Sequence, residues 1–324
     1  MSNFWQGKRV LVTGATGLLG SWLTEELAAQ KAEVVVLIRD HVPRSRFYLA
    51  GLDQRVTAVR GPLEDYALIE RTLNEYETQV VFHLAAQTIV GTANRSPLAT
   101  FEANIRGTWN LLEAVRTSPL KPKLLVASSD KAYGDQPQLP YTEDVPLAGR
   151  HPYDVSKTCA DLLAQAYVQT YRLPLAIARC GNLFGGGDLN FNRLIPGTIR
   201  SFLAGERPII RSDGSPKRDY FFVRDAASAY LLLAENLDRP EVQGQAFNFG
   251  TNEPLTPLQI IEELRRLMNV QLQPEIQNTW QGEIHHQYLD SSKAKRVLGW
   301  KPAYTLEQGL KETIAWYRDF LKGK

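Results

Sequence analysis

The first half of the chain alternates between two hydrophobic rhythms. Six short runs, "RVLVTG", "EVVVLI", "VTAVRG", "VVFHLAA", "KLLVASS" and "LAIARCGN", are rich in β-branched residues and apolar at most positions. Between them lie stretches with apolar residues at helical spacing: "LLGSWLTEELAAQ", "ALIERTLNEY", "ATFEANIRGTWNLLEAVR" and "YDVSKTCADLLAQAYVQTY". Strands that are apolar throughout belong to a sheet covered on both faces, and strict alternation with helices implies parallel pairing. The expected fold is α/β, a Rossmann-type doubly wound parallel sheet.

After Gly181 the rhythm changes. "NFNRLIPGTIRSFLAGE" and "DAASAYLLLAENL" read as helices, "AFNFG" as one more strand, and "TPLQIIEELRRLM" and "TLEQGLKETIAWYRDFL" as late amphipathic helices. The first of the late helices opens on Thr-Pro, a start signal. We expect a smaller, mixed α/β second domain, with part of the chain returning to the first. The expected division is 1–182 and 219–250 for the sheet domain, and 183–218 and 251–324 for the second.

Composition narrows the function classes. The 324 residues are 44% hydrophobic and 22% charged, with a formal net charge of +2. That balance points neither to nucleic acid nor to a membrane surface. The start, "MSNFWQGKRVLVTG", shows no apolar signal segment, and no run approaches a membrane span. Cys159 and Cys180 make no disulfide framework and no metal spacing, which suits reduced thiols in a cytoplasmic protein. His285-His286 lacks a second ligand cluster, so no metal site is expected.

"VLVTGATGLLG" places Gly14, Gly17 and Gly20 directly after the first strand and at the start of the first helix. Glycine there permits a tight turn, close approach of backbone to a pyrophosphate, and helix–strand packing. The helix N-terminus offers its free N–H groups to the anion. Thr16, Leu18 and Leu19 lie in the same turn and count with the glycines as cofactor contacts. Asp40 ends the second strand, where an acidic group holds ribose hydroxyls, and favours NAD. Arg39, Arg44 and Arg46 crowd the same loop and would suit the extra phosphate of NADP, the less favoured alternative.

"HPYDVSK" sets Tyr153 and Lys157 one helical turn apart, facing the same way. A tyrosine is a poor base at neutral pH, but an adjacent ammonium together with a cationic nicotinamide would favour its phenolate. Such a pair can take a proton from an alcohol while hydride leaves the same carbon.

With these residues in view, the chain resembles an extended short-chain dehydrogenase/reductase of the nucleotide-sugar epimerase/dehydratase group. The matching pieces run over nearly its whole length: "TGATGLLG", "HLAAQ", "NIRGTWNLLEA", "SSDKAYG", "YDVSK", "RCGNLFGGGD", "RLIPG", "RDYFFVRDAASAYLL" and "SSKAKRVLGWKP". The resemblance implies a tightly held NAD(P), a nucleoside-diphosphate sugar in the cleft, and a homodimer. Helices around Asn104–Val115 and Asp154–Tyr171 would form its four-helix interface. It also implies that Leu84, Ala85, Ala86, Gln87 and Asn104 border the cofactor, as Tyr153 and Lys157 do, and that Thr88 reaches the sugar. Where relatives often carry "GD", this chain has Gly61-Pro62, which leaves Leu63 or Glu64 for the adenine.

The family's catalytic hydroxyl position is Ser129, and the next two positions separate reactions. Simple 4-epimerases usually have small or unreactive residues there. A 4,6-dehydratase needs an acid for the departing 6-hydroxyl and a base for the C5 proton. Thymidine-diphosphoglucose dehydratases resemble this chain but carry Asp-Glu, whereas Asp130-Lys131 is similar to the pair of CDP-glucose 4,6-dehydratases and of some UDP-sugar dehydratases, with the surrounding motifs most resembling the CDP-glucose type. By resemblance, Asn182 and Arg218 touch the diphosphate, with Arg193 and Arg211 as further candidates; guanidinium suits phosphate because it is permanently charged and forked. The family's late Arg-x-x-Asp clamp is replaced by "WQGE", with Glu283 in the acidic place. The expected activity is therefore a CDP-glucose 4,6-dehydratase. The alternatives are a 4-epimerase or 4-ketoreductase, a dehydratase of GDP-mannose or a heptose, and a redox-sensing binding protein. An ion pair between Asp130 and Lys131, with both charged, is the competing reading of the triplet.

Overall fold

Seven parallel strands form the central sheet: β1 (Arg9–Thr13), β2 (Glu33–Ile38), β3 (Thr57–Arg60), β4 (Val80–His83), β5 (Lys123–Ala127), β6 (Leu175–Cys180) and an edge strand at Ala246–Phe249. Their order is edge strand, β6, β5, β4, β1, β2, β3, so the direction of winding reverses beside β1. The computed structural model describes residues 3–279 and 284–323. Each strand except the edge strand β3, where only Val59 is buried, divides its side chains between two cores. Val10 and Val12 face one layer with Val34, Val36, Leu125 and Ala176; Leu11 faces the other with Val35, Leu124, Val126 and Ile177. Burial on both faces is why these strands read as continuous apolar runs.

The helix α1 (Leu18–Ala29) follows β1 and packs against the helix Val223–Glu235 on one face of the sheet. The other face carries Tyr66–Glu75, Gly107–Thr117 and Pro152–Tyr171. The stretch expected as one helix near residues 99–116 is interrupted. Pro97–Phe101 and Gly107–Thr117 are joined through a wide π-type turn at Glu102–Arg106, a feature common beside functional sites.

A third core lies under Leu194–Leu203, Pro257–Met268 and Leu306–Lys322. Thr256 and Thr305 each close a reciprocal capping box on their helices, and the Thr-Pro start signal of the first holds. Three two-stranded parallel pieces stitch this region together: Asn182–Phe184 with Tyr220–Phe222, Lys217–Arg218 with His286–Gln287, and Ile209–Ile210 with Glu275–Ile276. Ala294, Leu298 and Trp300 rejoin the first core, bringing the chain back to the sheet a second time. Among the described residues no helix is long and apolar enough to cross a membrane.

Candidate active site

The turn after β1 is shaped by its glycines. Gly14 has φ +77°, and a Cβ there would stand 2.7 Å from the Ala85 nitrogen. A Cβ on Gly20 would fall 2.1 Å from the Gly14 carbonyl oxygen, which no side chain can do. Gly17 caps α1 and donates its N–H to the Gly14 oxygen at 3.0 Å. No acidic residue occupies the first turn of α1, so the helix start keeps its positive end for an anion. Thr16, Leu18 and Leu19 are half-buried in this turn, the leucines against the third core.

The structure separates the charged residues beyond β2. Asp40 and Arg39 are exposed and paired at 2.6 Å. Arg46 is buried, stacked 3.5 Å over the Trp22 ring, and ion-paired with Glu25. Arg44 lies 4.3 Å over the Phe320 ring and donates to the Phe320 carbonyl at 3.3 Å. Two of the three arginines that suit an extra phosphate are thus engaged elsewhere. Leu63 turns into the second core while its carbonyl accepts from Asn110 Nδ2 at 3.1 Å; Glu64 is half-buried beside it.

The β4 end forms the cofactor-side wall. Leu84 and Ala85 donate their N–H groups to Thr13 Oγ1, each at 3.2 Å, and Ala86 and Gln87 follow half-buried. Asn104 is buried and locked: its Oδ1 accepts from Gln87 N at 2.6 Å, and its Nδ2 donates to Gln87 O and Ser156 Oγ. Its amide therefore fastens the loop to the helix that carries Tyr153. Thr88 is exposed at the loop's end.

The structure brings Ser129, Asp130, Tyr153 and Lys157 together at the C-terminal end of β5. Ser129 Oγ donates to Asp130 Oδ1 at 3.0 Å and is also hydrogen-bonded to the Tyr153 phenol. Lys157 Nζ donates to the Ala127 carbonyl at 2.8 Å, which ties the helix to the strand. Lys131 is half-buried, and its charge acts on both Asp130 and Asp154.

Burial displaces the protonation of every one of these buried groups. It holds Asp130 above the usual carboxylate range, although Lys131, Ser129 and Arg218 pull the other way. Desolvation thus favours the protonated form more than it would in a solvated carboxylate, against the pull of Lys131. Burial also pushes Lys157 down to about 8 and Tyr153 up to about 12, the latter opposed by Arg193 and the Ser129 bond. At Tyr153 desolvation outweighs the positive charge of Arg193 and the Ser129 hydrogen bond.

The late candidates are dispersed. Asn182 donates its N–H to the Asp219 carbonyl at 2.9 Å. Arg193 pairs with Asp188 at 3.3 Å and is near enough to act on Tyr153. Arg211 is exposed and donates to Asn192 Oδ1 at 3.0 Å. Arg218 is buried, holding the carbonyls of Lys217, Ile284 and His285, and its charge reaches Asp130. Glu283 lies outside the described residues.

Several supporting residues carry no signal of their own in the sequence. Buried His83 closes a chain from β1 to the π-type turn. Thr108 donates to the Asn104 carbonyl, so it accepts from His83 Nε2–H at 2.9 Å, and Nδ1 accepts from Thr13 at 3.0 Å. Burial and Lys157 hold His83 near 3, so it stays neutral. Under the triplet, Arg179 makes a fully buried pair with Asp161 and donates to the Tyr133 hydroxyl, which donates to Asn248 Oδ1. "HLAAQ" and "DKAYG" contain His83 and Tyr133, but only their partners reveal their use. Among the described residues no group of acidic, His or Cys side chains could hold a metal.

Comparison with known proteins agrees with this fold. The chain is 32% identical to a CDP-glucose 4,6-dehydratase of Salmonella typhimurium, over 99% of this chain and 94% of the relative. It is 31% identical to a dTDP-glucose 4,6-dehydratase of Xanthomonas campestris, over 95% and 92%. A UDP-glucose 4-epimerase of Thermotoga maritima, solved with UDP-glucose, superposes with a TM-score of 0.88 at 28% identity, covering 97% of this chain and 99% of that one. A dTDP-glucose 4,6-dehydratase of Streptomyces venezuelae, solved with NAD, gives 0.86 at 28%, covering 96% and 97%. With residues 11–313 matched, this chain belongs to the GDP-mannose 4,6 dehydratase family, within the extended short-chain dehydrogenase/reductase group.

Proposed function

We propose that this protein is an NAD-dependent nucleotide-sugar 4,6-dehydratase and that its substrate is CDP-glucose. The observation that carries the reading is Asp130: a carboxyl buried next to the catalytic hydroxyl and held toward its neutral form. Oxidation and re-reduction at C4 need no such acid, whereas loss of a hydroxyl does. The base is supported by the likeness to the Salmonella enzyme and by the Asp130-Lys131 pair.

The glycine turn, whose Gly14 and Gly20 leave no room for a Cβ, fits a dinucleotide pyrophosphate, with Asp40 placed for the ribose. Capture of Arg44 and Arg46 supports NAD over NADP. NAD held in that turn would supply a hydride acceptor for C4 of the sugar and a hydride donor for C6. Tyr153, assisted by Ser129, takes the 4-hydroxyl proton, and Lys157 holds the pair against β5. Positive charge in the cleft favours the phenolate this requires. The 4-ketone acidifies C5–H, whose proton Lys131 takes while Asp130 gives its own to the C6 oxygen. The C6–O bond breaks, one water leaves, and C5 regains a proton from Lys131. The product is a 4-keto-6-deoxy sugar, with no net redox change.

Incubation with CDP-, UDP-, GDP- and dTDP-hexoses, followed by mass spectrometry, tests this. Loss of one water from CDP-glucose is expected. An isomeric peak without mass change would instead establish the 4-epimerase reading, which the Thermotoga likeness favours. We also propose a homodimer through exposed Trp109 and Leu162 on the two helices beside the site. Its check is the solution mass of Trp109→Glu, expected to halve.

A further inference from the structure

Gln287 is a fully buried side chain that the mechanism above does not use. Its Nε2 donates to the main-chain oxygen of Asp130 at 2.9 Å, across 157 positions of sequence. Among the described residues its own Oε1 has no hydrogen-bond partner, and neither has Asp130 Oδ2. Buried acceptors without donors are rare in folded proteins and mark places where a proton or a ligand hydroxyl belongs.

The segment that carries Gln287 is tied to the substrate side of the cleft. Gln287 stands opposite Arg218 in the parallel pairing of His286–Gln287 with Lys217–Arg218. Arg218 holds the carbonyls of Ile284 and His285 on the same segment. Beyond Gln287, the Tyr288 carbonyl accepts from Tyr141 N, and Leu289 donates to Asp219 Oδ2. The run 284–289 is therefore gripped by Arg218, by Asp130 and by Asp219 in turn. Asp130 opens a single 3-10 turn, Asp130–Tyr133, too short to be rigid alone. Ser129 engages one carboxyl oxygen, and Gln287 engages the backbone.

We propose that Gln287 is a positioning residue for the elimination step, fixing Asp130 so that Oδ2 faces the departing hydroxyl and linking that placement to the Arg218 segment. The inference rests on the dehydratase reading and concerns its second half alone. In that half the electrons of C5–H become the C5–C6 double bond, Lys131 receives the proton, the C6–O bond breaks, and Asp130's proton completes the water. Removal of the C4 hydride needs nothing from Asp130 Oδ2.

The test is Gln287→Met, which keeps volume and removes the donor, beside Gln287→Asn, which keeps a shortened amide. Both are assayed with NAD⁺ and CDP-glucose, or with whichever member of the nucleotide-hexose panel the wild type dehydrates. Reduced-dinucleotide absorbance follows C4 oxidation, and mass spectrometry follows water loss. In Gln287→Met, KM and C4 oxidation should match wild type while water loss slows about tenfold, the kinetic equivalent of one hydrogen bond. Gln287→Asn should recover part of that loss. The alkaline limb of water loss should also move to lower pH, because a loosened Asp130 is better hydrated. The charged and polar groups facing Asp130, namely Lys131, Arg218, Asp219, Ser129, Tyr141, Tyr153 and Cys180, are the same in each variant. Equal slowing of both steps, or no slowing of either in both variants, overturns the assignment alone. A wild type that removes water from no sugar overturns the dehydratase reading and this assignment with it.

Discussion

Two regions at the C-terminal ends of the same sheet handle charge in opposite ways. At β5 and the helix Pro152–Tyr171, the titratable groups are buried, and desolvation displaces Asp130, Tyr153 and Lys157 from their ordinary ionisation. Beyond β2, Asp40 and Arg39 sit in solvent as a pair, and the neighbouring arginines rest on the aromatic rings of Trp22 and Phe320. Buried groups can hold a proton in an unusual state, whereas the exposed Arg39–Asp40 pair stays solvated and individually weak. Substitutions in the first region should therefore stop a step, and those in the second should shift a preference.

The largest effect is expected from Tyr153→Phe. Turnover should fall about 10²–10⁴-fold, the range of a lost acid–base group, with nucleotide-sugar binding retained by calorimetry. Loss of binding in step with turnover would instead make Tyr153 a binding residue. Asp130→Asn is next: water loss should fall at least about 100-fold while reduced dinucleotide accumulates. Unchanged water loss in that variant would place the acid elsewhere.

Breaking the buried pair beneath the triplet should cost stability. Arg179→Leu leaves Asp161 charged and unpaired, and unfolding free energy should drop by about 3–5 kcal/mol in denaturant titration. A drop under about 1 kcal/mol would show that the pair contributes no more than a solvent-exposed one.

Lys157 gives a pH-dependent contrast. Its folded value near 8 lies below its unfolded 10.5, so folding expels a proton, and this lysine costs stability below pH 8 that is regained as pH rises through 10.5. Lys157→Met should be inactive yet gain Tm relative to wild type most below pH 8, with the gain shrinking toward 10.5. A pH-independent difference would mean that Lys157 is not desolvated.

The smallest effect belongs to the solvated end. Phe320→Ala frees Arg44, and NADPH binding measured by fluorescence should tighten about fivefold relative to NADH, the scale of an exposed cation–π contact. An unaltered ratio would assign the preference to Asp40 alone.

Much of this molecule can be read along the chain. The six runs are strands of one parallel sheet, and in all but the edge strand β3 burial on both faces imposes the local composition. The glycine turn, and Tyr153 and Lys157 one helical turn apart, are short-range geometries, so spacing alone specifies them. Tertiary structure decided what lay beyond spacing. It pushed the Asp130 carboxyl above its ordinary range, because net desolvation depends on everything packed around a group and not on its neighbours in sequence. It withdrew Arg44 and Arg46 from the ribose loop, locked Asn104 onto Gln87, and joined Gln287 to Asp130 across 157 positions. Those contacts join side chains distant in sequence, and nothing in the periodicity of either partner encodes the meeting.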